Sequence, residues 1–290
     1  SGLMQVVSDH IALTKPRVIS LLLWTAFGGM VIAERGLPAL TILGAVLVGG
    51  ALASGGASSI NQALEGELDI AMRRTSNRPV ASGRVGIRHA MVYGLLLNVV
   101  AFAIMISGAN LLAALLTLSG TLIYVIIYTI WLKRSTTQNI VIGGAAGAVP
   151  PLVGWVAVTG DITLPALYLF AIVFFWTPPH FWALAIMIKD DYKAAGVPML
   201  PVIVGFNETR RAIFLYTWIL LGLTSLLYVT TDHLSIVYLG GSLALDVIYI
   251  GFAARLWWKT ERSAVVSLYL YSLLYLTLLF GLMMVDATFI

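Results

Sequence analysis

The chain has 290 residues, of which 60% are hydrophobic and only 10% are charged. Soluble domains carry about 25% charged residues, so this composition and a mean hydropathy of +0.95 indicate a protein that crosses a membrane several times. The absence of cysteine excludes disulfides, thiolate metal sites and cysteine nucleophiles. A net charge of +4 favours contact with anionic lipid or an anionic substrate and not with nucleic acid.

Nine apolar segments are long enough to cross a bilayer, which takes about 17–25 residues. They cover residues 18–34, 38–60, 88–106, 111–131, 138–158, 164–188, 212–230, 235–256 and 263–285. Of the 17 basic residues, 16 lie before the first segment or in alternate connections, and Arg35 alone lies on the other side. This alternation predicts nine transmembrane helices with a cytoplasmic N-terminus and an external C-terminus. No cleaved signal peptide is expected, because Lys15 and Arg17 precede a full-length span.

The whole chain, residues 1–290, is therefore expected to form a single membrane domain. Its two longest connections, 61–87 and 189–211, are both predicted to be cytoplasmic, whereas the external connections are too short to hold a soluble domain. Any chemistry should lie within the membrane or at these two cytoplasmic connections.

The first cytoplasmic connection begins with polar side chains at a spacing of four residues. Asn61, Glu65 and Asp69 would share one face of a helix, where two carboxylates one turn apart repel by roughly 0.2–0.5 kcal/mol. Their oxygen atoms suit Mg²⁺, which prefers one or two protein carboxylates together with phosphate oxygens and water. The nearby arginines that suit phosphate are Arg73, Arg74 and Arg78. A metal-bridged diphosphate would satisfy both signs of charge; the alternative is a solvated loop whose arginines only fix the topology.

The second cytoplasmic connection carries Asp190 and Asp191 where the sixth span ends, followed by a Gly-Val-Pro turn. Adjacent residues of a helix point about 100° apart, so only one of the two would face the first connection, and we favour Asp191. Two acidic edges repel each other. The two connections are therefore expected to approach only with cations between them.

Five stretches carry a resemblance to a known family. They are LTKPRV at 13–18, NQALEGELDIAMRRTSNRPVASGRV at 61–85, YTIWLKRSTTQNIVIGGAAGAVPPLVGW at 128–155, TPPHFWALAI at 177–186 and DYKAAGVPMLPVIVG at 191–205. With these stretches the chain resembles the UbiA-type intramembrane prenyltransferases. The strings PPHFWALAI and AGVPMLP are typical of the branch that farnesylates haem. The last three predicted helices match in pattern only.

This resemblance implies an all-α bundle of nine transmembrane helices around a central cavity, capped by the two acidic connections. It implies that farnesyl diphosphate binds there with Mg²⁺, held by Glu65, Asp69 and Asp191 with Asn61 beside them. The family often has a further aspartate one turn before Asp191, where this chain has Met187, so the role of Asp190 stays open. The basic residues implied to bind the departing diphosphate are Arg74, Arg78, Lys133 and Arg134.

The resemblance further implies that a vinyl group of haem b accepts the farnesyl group, which gives haem O for haem-copper oxidases. His180 lies inside the sixth span, where it could ligate the haem iron or hydrogen-bond to a neighbouring helix. Asp246 lies in the middle of the eighth span without a partner that the sequence identifies, and could pair with another helix or touch substrate.

Two other functions stay open at this point: prenyl transfer to a quinone-type aromatic acceptor, and transport of haem or lipid. A transporter has no need of two acidic connections on one side. The expected location is the bacterial cytoplasmic membrane rather than the mitochondrial inner membrane. The expected partners are farnesyl diphosphate, haem b, membrane lipid and other proteins of haem A biosynthesis or oxidase assembly, without nucleic acid.

Overall fold

The computed structural model describes residues 2–290, and this part of the chain is entirely helical apart from its turns. Within it, nine helical segments are long and apolar enough to cross a membrane, which confirms the predicted all-α, nine-span fold class. These segments are Pro16–Glu34, Leu40–Leu64, Ile87–Gly108, Leu111–Leu132, Asn139–Thr159, Leu164–Met187, Leu200–Thr230, Ile236–Trp257 and Arg262–Phe289. The central cavity stays a prediction.

The α-helices are numbered in chain order. They are α1 (Gly2–Thr14), α2 (Pro16–Glu34), α3 (Leu40–Leu64), α4 (Gly66–Ala71), α5 (Ile87–Gly108), α6 (Leu111–Leu122), α7 (Asn139–Gly143), α8 (Ala145–Thr159), α9 (Leu164–Met187), α10 (Lys189–Ala194), α11 (Leu200–Thr230), α12 (Ile236–Ala254) and α13 (Arg262–Phe289). A π-helix at Ile123–Leu132 continues α6 to the end of the fourth span, and a 3₁₀ turn at Arg255–Trp257 continues α12.

Glycines allow the spanning helices to approach each other closely. A Cβ atom on Gly154 of α8 would overlap the backbone of Ala26 in α2, and one on Gly94 of α5 would overlap the backbone of Gly56 in α3. Membrane helices associate through such small residues because lipid tails are as apolar as the helices themselves, so close packing has to supply the attraction. The span formed by α7 and α8 and the span formed by α9 are the most buried, and they form the centre of the bundle.

Both predicted cytoplasmic connections are more helical than the sequence suggests. Residues 61–87 include the last turn of α3 and the short helix α4, and residues 189–211 include α10 and the start of α11. The seventh span was predicted to begin at 212, but α11 begins at Leu200 and is interrupted at Gly205 (φ 81°, ψ 179°), a conformation that favours glycine. We call the end of the bundle that carries α4 and α10 the loop end.

The residues before the first span also fold, as helix α1 at the loop end, although the apolar pattern assigns no element to them. Asp9 accepts a hydrogen bond from Arg84 at 3.0 Å, and this ion pair ties α1 to the segment before α5. The chain then turns at Lys15, which has a left-handed backbone (φ 48°, ψ 64°). Pro16 follows directly, and a proline disfavours the right-handed helical conformation in the residue before it. The chain therefore changes direction between α1 and α2.

Candidate active site

Asn61, Glu65 and Asp69 lie at the loop end, where α3 ends and α4 begins. Helical hydrogen bonds continue across the junction, from the amide of Glu65 to the carbonyl of Asn61 (2.9 Å) and from the amide of Asp69 to the carbonyl of Glu65 (2.8 Å). All three side chains are buried, with at most 2% of each residue exposed. Buried carboxylates are costly unless they are paired, so this arrangement needs positive partners.

Each of the two carboxylates has one basic partner. Lys133 Nζ lies 2.9 Å from Glu65 and donates a hydrogen bond to its Oε2. Arg78 Nη1 donates to Asp69 Oδ1 at 3.0 Å, and Thr75 Oγ1 donates to the backbone carbonyl of Asp69 at 2.8 Å. The two acids and two bases form a compact group with no net charge. We call Asn61, Glu65, Asp69, Arg78 and Lys133 the charge cluster.

The π-helix supplies one side of the charge cluster. Thr129 Oγ1 donates a hydrogen bond of 2.7 Å to Asn61 Oδ1, four residues before the ion pair that Lys133 makes with Glu65. Both pairs span a sequence separation of 68, so the π-helix and the end of α3 meet in one continuous register. π-Helical turns are rare and frequently occur at functional sites.

Lys15 lies beside the charge cluster although its backbone belongs to the turn between α1 and α2. The pKa of Lys15 is lowered from 10.5 to about 7, chiefly by burial. The positive charges of Arg78 and Lys133 also lower this pKa, and the negative charges of Glu65 and Asp69 raise it by less. A large fraction of Lys15 is therefore neutral near pH 7, and an anion bound next to it would favour its charged form.

The second acidic segment meets the first through apolar side chains. Leu68 and Met72, on either side of Asp69 in the sequence, pack in one buried cluster with residues of α7, α9, α10 and the turn after α10. The other buried members are Ile140, Ala185, Tyr192, Val197 and Met199. Lys133 and Arg78 neutralise the first acidic edge, and the apolar cluster supplies a contact between the two segments. The expectation that the segments approach only with cations between them stays a prediction.

The remaining predicted residues of this region lie at its surface. Asp191 is half-buried and Asp190 is exposed, and within residues 2–290 neither forms a salt bridge. The guanidinium of Arg74 lies beside the phenol of Tyr192, whose pKa is raised by burial and held down in part by that charge. Arg134 is exposed and lines a shallow pocket between the two segments, together with Glu67, Leu68, Ala71, Ala194 and Ala195.

His180 is buried in the middle of the bundle. Its ring stacks between those of Trp176 and Tyr269, with centroid distances of 4.4 and 5.0 Å. Its Nδ1 lies 2.6 Å from Ser272 Oγ, and that hydroxyl donates its proton to the Tyr269 carbonyl at 2.5 Å. Nδ1 must therefore be the donor to Ser272, which leaves the Nε2 lone pair free, as ligation of iron requires.

The partners of Asp246 come from two other spans. Thr224 Oγ1 of α11 donates to Asp246 Oδ2 at 2.5 Å, and Tyr275 OH of α13 donates to Oδ1 at 2.6 Å. Both oxygens of this buried carboxyl group are thus satisfied within the protein. Of the two interpretations that the sequence allows, the structure shows pairing between helices.

Comparison with known proteins agrees with this geometry. The model of the UbiA prenyltransferase family matches residues 22–281, nearly the whole chain. The chain belongs to the UbiA prenyltransferase family. The resemblance seen in the sequence is thereby confirmed.

Two curated relatives of this UbiA member are both named protoheme IX farnesyltransferase. The one from Thermus thermophilus is 52% identical over 96% of this chain and 46% of its own length. The one from Gloeobacter violaceus is 47% identical over 99% of this chain and 94% of its own length. The chain spans about half the length of several curated relatives that it matches, such as the Thermus protein. One solved structure with a similar fold is that of a UbiA homolog from Archaeoglobus fulgidus bound to GPP and Mg²⁺. Its TM-score is 0.67, over 95% of this chain and 99% of that chain, and the sequence identity is 15%.

The donor set of this UbiA member suits magnesium in part. Asp69 Oδ2 is buried and has no hydrogen-bond partner, so one hard oxygen atom is available to a cation. Among residues 2–290, however, no three histidine, aspartate or glutamate side chains lie close enough together to hold a metal ion. The structure therefore brings Glu65 and Asp69 together and does not bring Asp191 to them, and the full ligand set stays a prediction.

The sequence interpretation did not include three residues that the structure places at or beside the site. Thr129 and Lys15 lie within the stretches YTIWLK and LTKPRV that carry the family resemblance, and this membership was a signal that could have identified them. Tyr192 has the same signal, because it lies next to Asp191 within the stretch DYKAAGVPMLPVIVG.

Proposed function

We propose that this chain transfers the farnesyl group of farnesyl diphosphate to a vinyl group of haem b, giving haem O and diphosphate for haem-copper oxidases. The observation that carries this proposal is the buried charge cluster, which pairs two bases of the kind that donate to phosphate with two acids of the kind that bind Mg²⁺. The names of the relatives from Thermus and Gloeobacter support haem as the acceptor.

The charge cluster is suited to exchange one set of partners for another. Lys133 and Arg78 would turn from Glu65 and Asp69 to the diphosphate oxygens, while the two acids would bind Mg²⁺. When bound, Mg²⁺ would supply charge stabilisation to the diphosphate as it departs. The total charge stays balanced only if metal and diphosphate bind together, so we propose that their binding is mutually dependent.

The remaining predicted residues extend this assignment. Arg74, which lies beside Tyr192, and Arg134, which lines the pocket between the two acidic segments, would bind the outer diphosphate oxygens. Asp191 would reach the metal from α10. These roles rest on the family resemblance together with the position of each residue at the loop end.

The chemistry itself forms one carbon–carbon bond. The bond between the farnesyl carbon and the diphosphate oxygen breaks, and the vinyl group of the porphyrin attacks the allylic cation. Water then adds to the resulting porphyrin cation and loses one proton, which leaves a hydroxyethylfarnesyl side chain. His180 would hold the haem by its iron through Nε2, next to the aromatic rings of Trp176 and Tyr269. The apolar bundle would keep other water away from the allylic cation.

The charged end of the bundle is proposed to face the cytoplasm of a bacterium, with the N-terminus inside and the C-terminus outside, because basic segments stay in the cytoplasm. Farnesyl diphosphate would then reach the charge cluster from the cytoplasm, and haem would enter from the membrane. Other proteins of haem A biosynthesis or oxidase assembly would receive the product.

The deciding experiment incubates the purified protein with farnesyl diphosphate, Mg²⁺ and haem b, and weighs the porphyrin by mass spectrometry. We expect the porphyrin to gain one farnesyl group and one hydroxyl group, with one diphosphate and one proton released for each product, and no product when the metal is chelated. Transfer to a quinone-type aromatic acceptor in place of haem would show a different acceptor. Failure to release diphosphate with any acceptor would favour a transporter.

A further inference from the structure

Two histidine side chains at the loop end lie outside the charge cluster. His10 of α1 and His89 of α5 are 79 residues apart in the chain, and their Nε2 atoms lie 2.7 Å apart. We propose that these two residues, the histidine pair, bind one divalent transition-metal ion of the kind that imidazole favours, Cu²⁺ or Ni²⁺, with water completing its coordination. This inference goes beyond the proposed function and does not depend on it.

The hydrogen bonds of His10 determine which of its ring nitrogens can bind a metal. Nδ1 lies 2.7 Å from the Val6 carbonyl, which can only accept, so Nδ1 carries a proton and Nε2 of the neutral ring keeps its lone pair. Histidines that ligate metals almost always donate their other ring N–H to a carboxylate, a backbone carbonyl or water. His10 therefore already has the tautomer and the outer hydrogen bond of a metal ligand.

His89 can supply the second nitrogen. When both rings are neutral, its Nε2–H donates to Nε2 of His10, because two lone pairs cannot face each other at 2.7 Å. The side chain of His89 is exposed, and within residues 2–290 its Nδ1 has no hydrogen-bond partner. The proton can therefore move to Nδ1, where water accepts the hydrogen bond. Both Nε2 lone pairs are then available to one ion.

The distance between the two nitrogens indicates the class of metal. Two metal–nitrogen bonds of about 2.0–2.1 Å place their nitrogens about 2.9 Å apart at a right angle and about 3.3 Å apart at a tetrahedral angle. On opposite faces of a haem the same bonds would place them about 4 Å apart. The observed 2.7 Å is nearest to the right angle, which belongs to the square-planar or tetragonal coordination of Cu²⁺ and Ni²⁺. A rotation of the exposed His89 ring would direct both lone pairs to one point.

The residues around the histidine pair hold α1 and α5 together before a metal binds. Asp9 accepts from Arg84 Nε at 3.0 Å, so the residue before His10 already ties α1 to the segment before α5. The ring of Tyr93, one turn after His89, packs edge-on against the His10 ring with the centroids 5.1 Å apart. Binding a metal therefore orders little additional chain. A bound ion would fasten α1 more firmly to α5.

The test titrates Cu²⁺ into the purified full chain, prepared without a histidine tag and with Mg²⁺ in excess. Magnesium suits the carboxylates and leaves the imidazoles free, and the chain has no cysteine to compete for copper. We expect one tight site by calorimetry and an electron paramagnetic resonance spectrum with coupling to two imidazole nitrogens. His10→Gln and His89→Gln should each lower Cu²⁺ affinity by at least about tenfold, because each removes one of the two protein ligands.

The chain offers a matched control at the opposite end of the bundle. His233 donates from Nδ1 to the Ile32 carbonyl at 2.8 Å, as His10 does to Val6, but it has no second histidine beside it within residues 2–290. His233→Gln should therefore leave both the Cu²⁺ affinity and the spectrum unchanged. Copper should raise the unfolding temperature of the wild type and of His233→Gln, and should not raise that of His10→Gln.

Three results would overturn the proposal. They are wild-type affinity in His89→Gln, coupling to a single nitrogen in the wild-type spectrum, and an equal loss of affinity in His233→Gln. Any of them would leave the histidine pair as a hydrogen bond between α1 and α5. Farnesyl transfer is not part of this test, so its outcome is independent of the proposed function.

Discussion

The two acidic segments at the loop end differ in how their charges are held. In the first segment Glu65 and Asp69 are buried and each has a basic partner at 2.9 or 3.0 Å. In the second segment Asp190 is exposed and Asp191 is half-buried, and within residues 2–290 neither has a salt bridge. The acids of the first segment are therefore already held by basic partners before substrate binds, whereas the acids of the second segment have no basic partner.

This difference indicates that the two acidic segments would contribute unequally to binding a metal ion, with the larger contribution from the first. A buried, paired carboxylate has already lost its water, so exchanging its basic partner for a metal ion adds little desolvation cost. A half-exposed carboxylate interacts through water and contributes less. The apolar cluster around Tyr192 keeps the two segments together, so the second can add its charge without a large movement.

The largest effect is expected at Asp69. Asp69→Asn keeps an oxygen that accepts from Arg78, but it removes the charge and replaces Oδ2, a buried oxygen that has no hydrogen-bond partner, with an NH₂ group that cannot bind a cation. We expect farnesyl transfer to fall by at least about 100-fold, because stabilisation by a bound metal is worth several kcal/mol. Product formation at saturating Mg²⁺ measures this, and Glu65→Ala should behave alike. Glu67→Gln, a change at an exposed residue of the same helix α4, should leave farnesyl transfer active. Equal losses of activity in the Asp69 and Glu67 variants would show that Asp69 has no specific role.

A smaller effect is expected in the second segment. Asp191→Asn should weaken Mg²⁺-dependent binding of farnesyl diphosphate by about tenfold, because one partly exposed charge is lost. Titrations with and without Mg²⁺ measure the change, and Asp190→Asn is the matched control. If Asp191→Asn has no effect on metal-dependent affinity, the second segment does not serve the diphosphate, and the contribution proposed for it above is wrong.

A variant in the bundle interior should leave both acidic segments unaffected. His180→Ala should shift the Soret band of bound haem and weaken haem binding by about tenfold, because it would remove the proposed iron ligand. Affinity for farnesyl diphosphate should stay the same. His233→Ala is the control, since the ring of His233 hydrogen-bonds to the Ile32 carbonyl at the opposite end of the bundle. An unchanged Soret band for His180→Ala would give His180 a structural role.

The smallest expected effect concerns pH. Lys15 has a pKa of about 7 in the protein, so raising the pH from about 6 to about 8 removes a positive charge beside the charge cluster. Bound diphosphate favours the charged form, so binding takes up a proton and weakens as the pH rises. We expect the affinity for inorganic diphosphate to fall over this range by about threefold more in the wild type than in Lys15→Arg. The diphosphate titrates identically in both titrations, so parallel pH profiles would show that Lys15 does not titrate near pH 7.

The sequence by itself determined the features that depend on local composition. Apolar segments of bilayer length produce nine spans, since each backbone polar group in lipid must be satisfied within its own helix. The four-residue spacing of Asn61, Glu65 and Asp69 already placed them on one face, because helical periodicity is a local property. The family, too, was evident from short strings of residues.

Tertiary structure alone decided the features that depend on residues distant in the chain. Nothing in the spacing of Glu65 or Asn61 points to Lys133 and Thr129, because only the packing of the π-helix on α3 brings together residues 68 positions apart. Likewise, Asp246 acquires Thr224 and Tyr275 from two other spans. Local periodicity tells which residues share a face, whereas the contact between two faces depends on the packing of whole helices, set by close approaches such as that of Gly154 to α2.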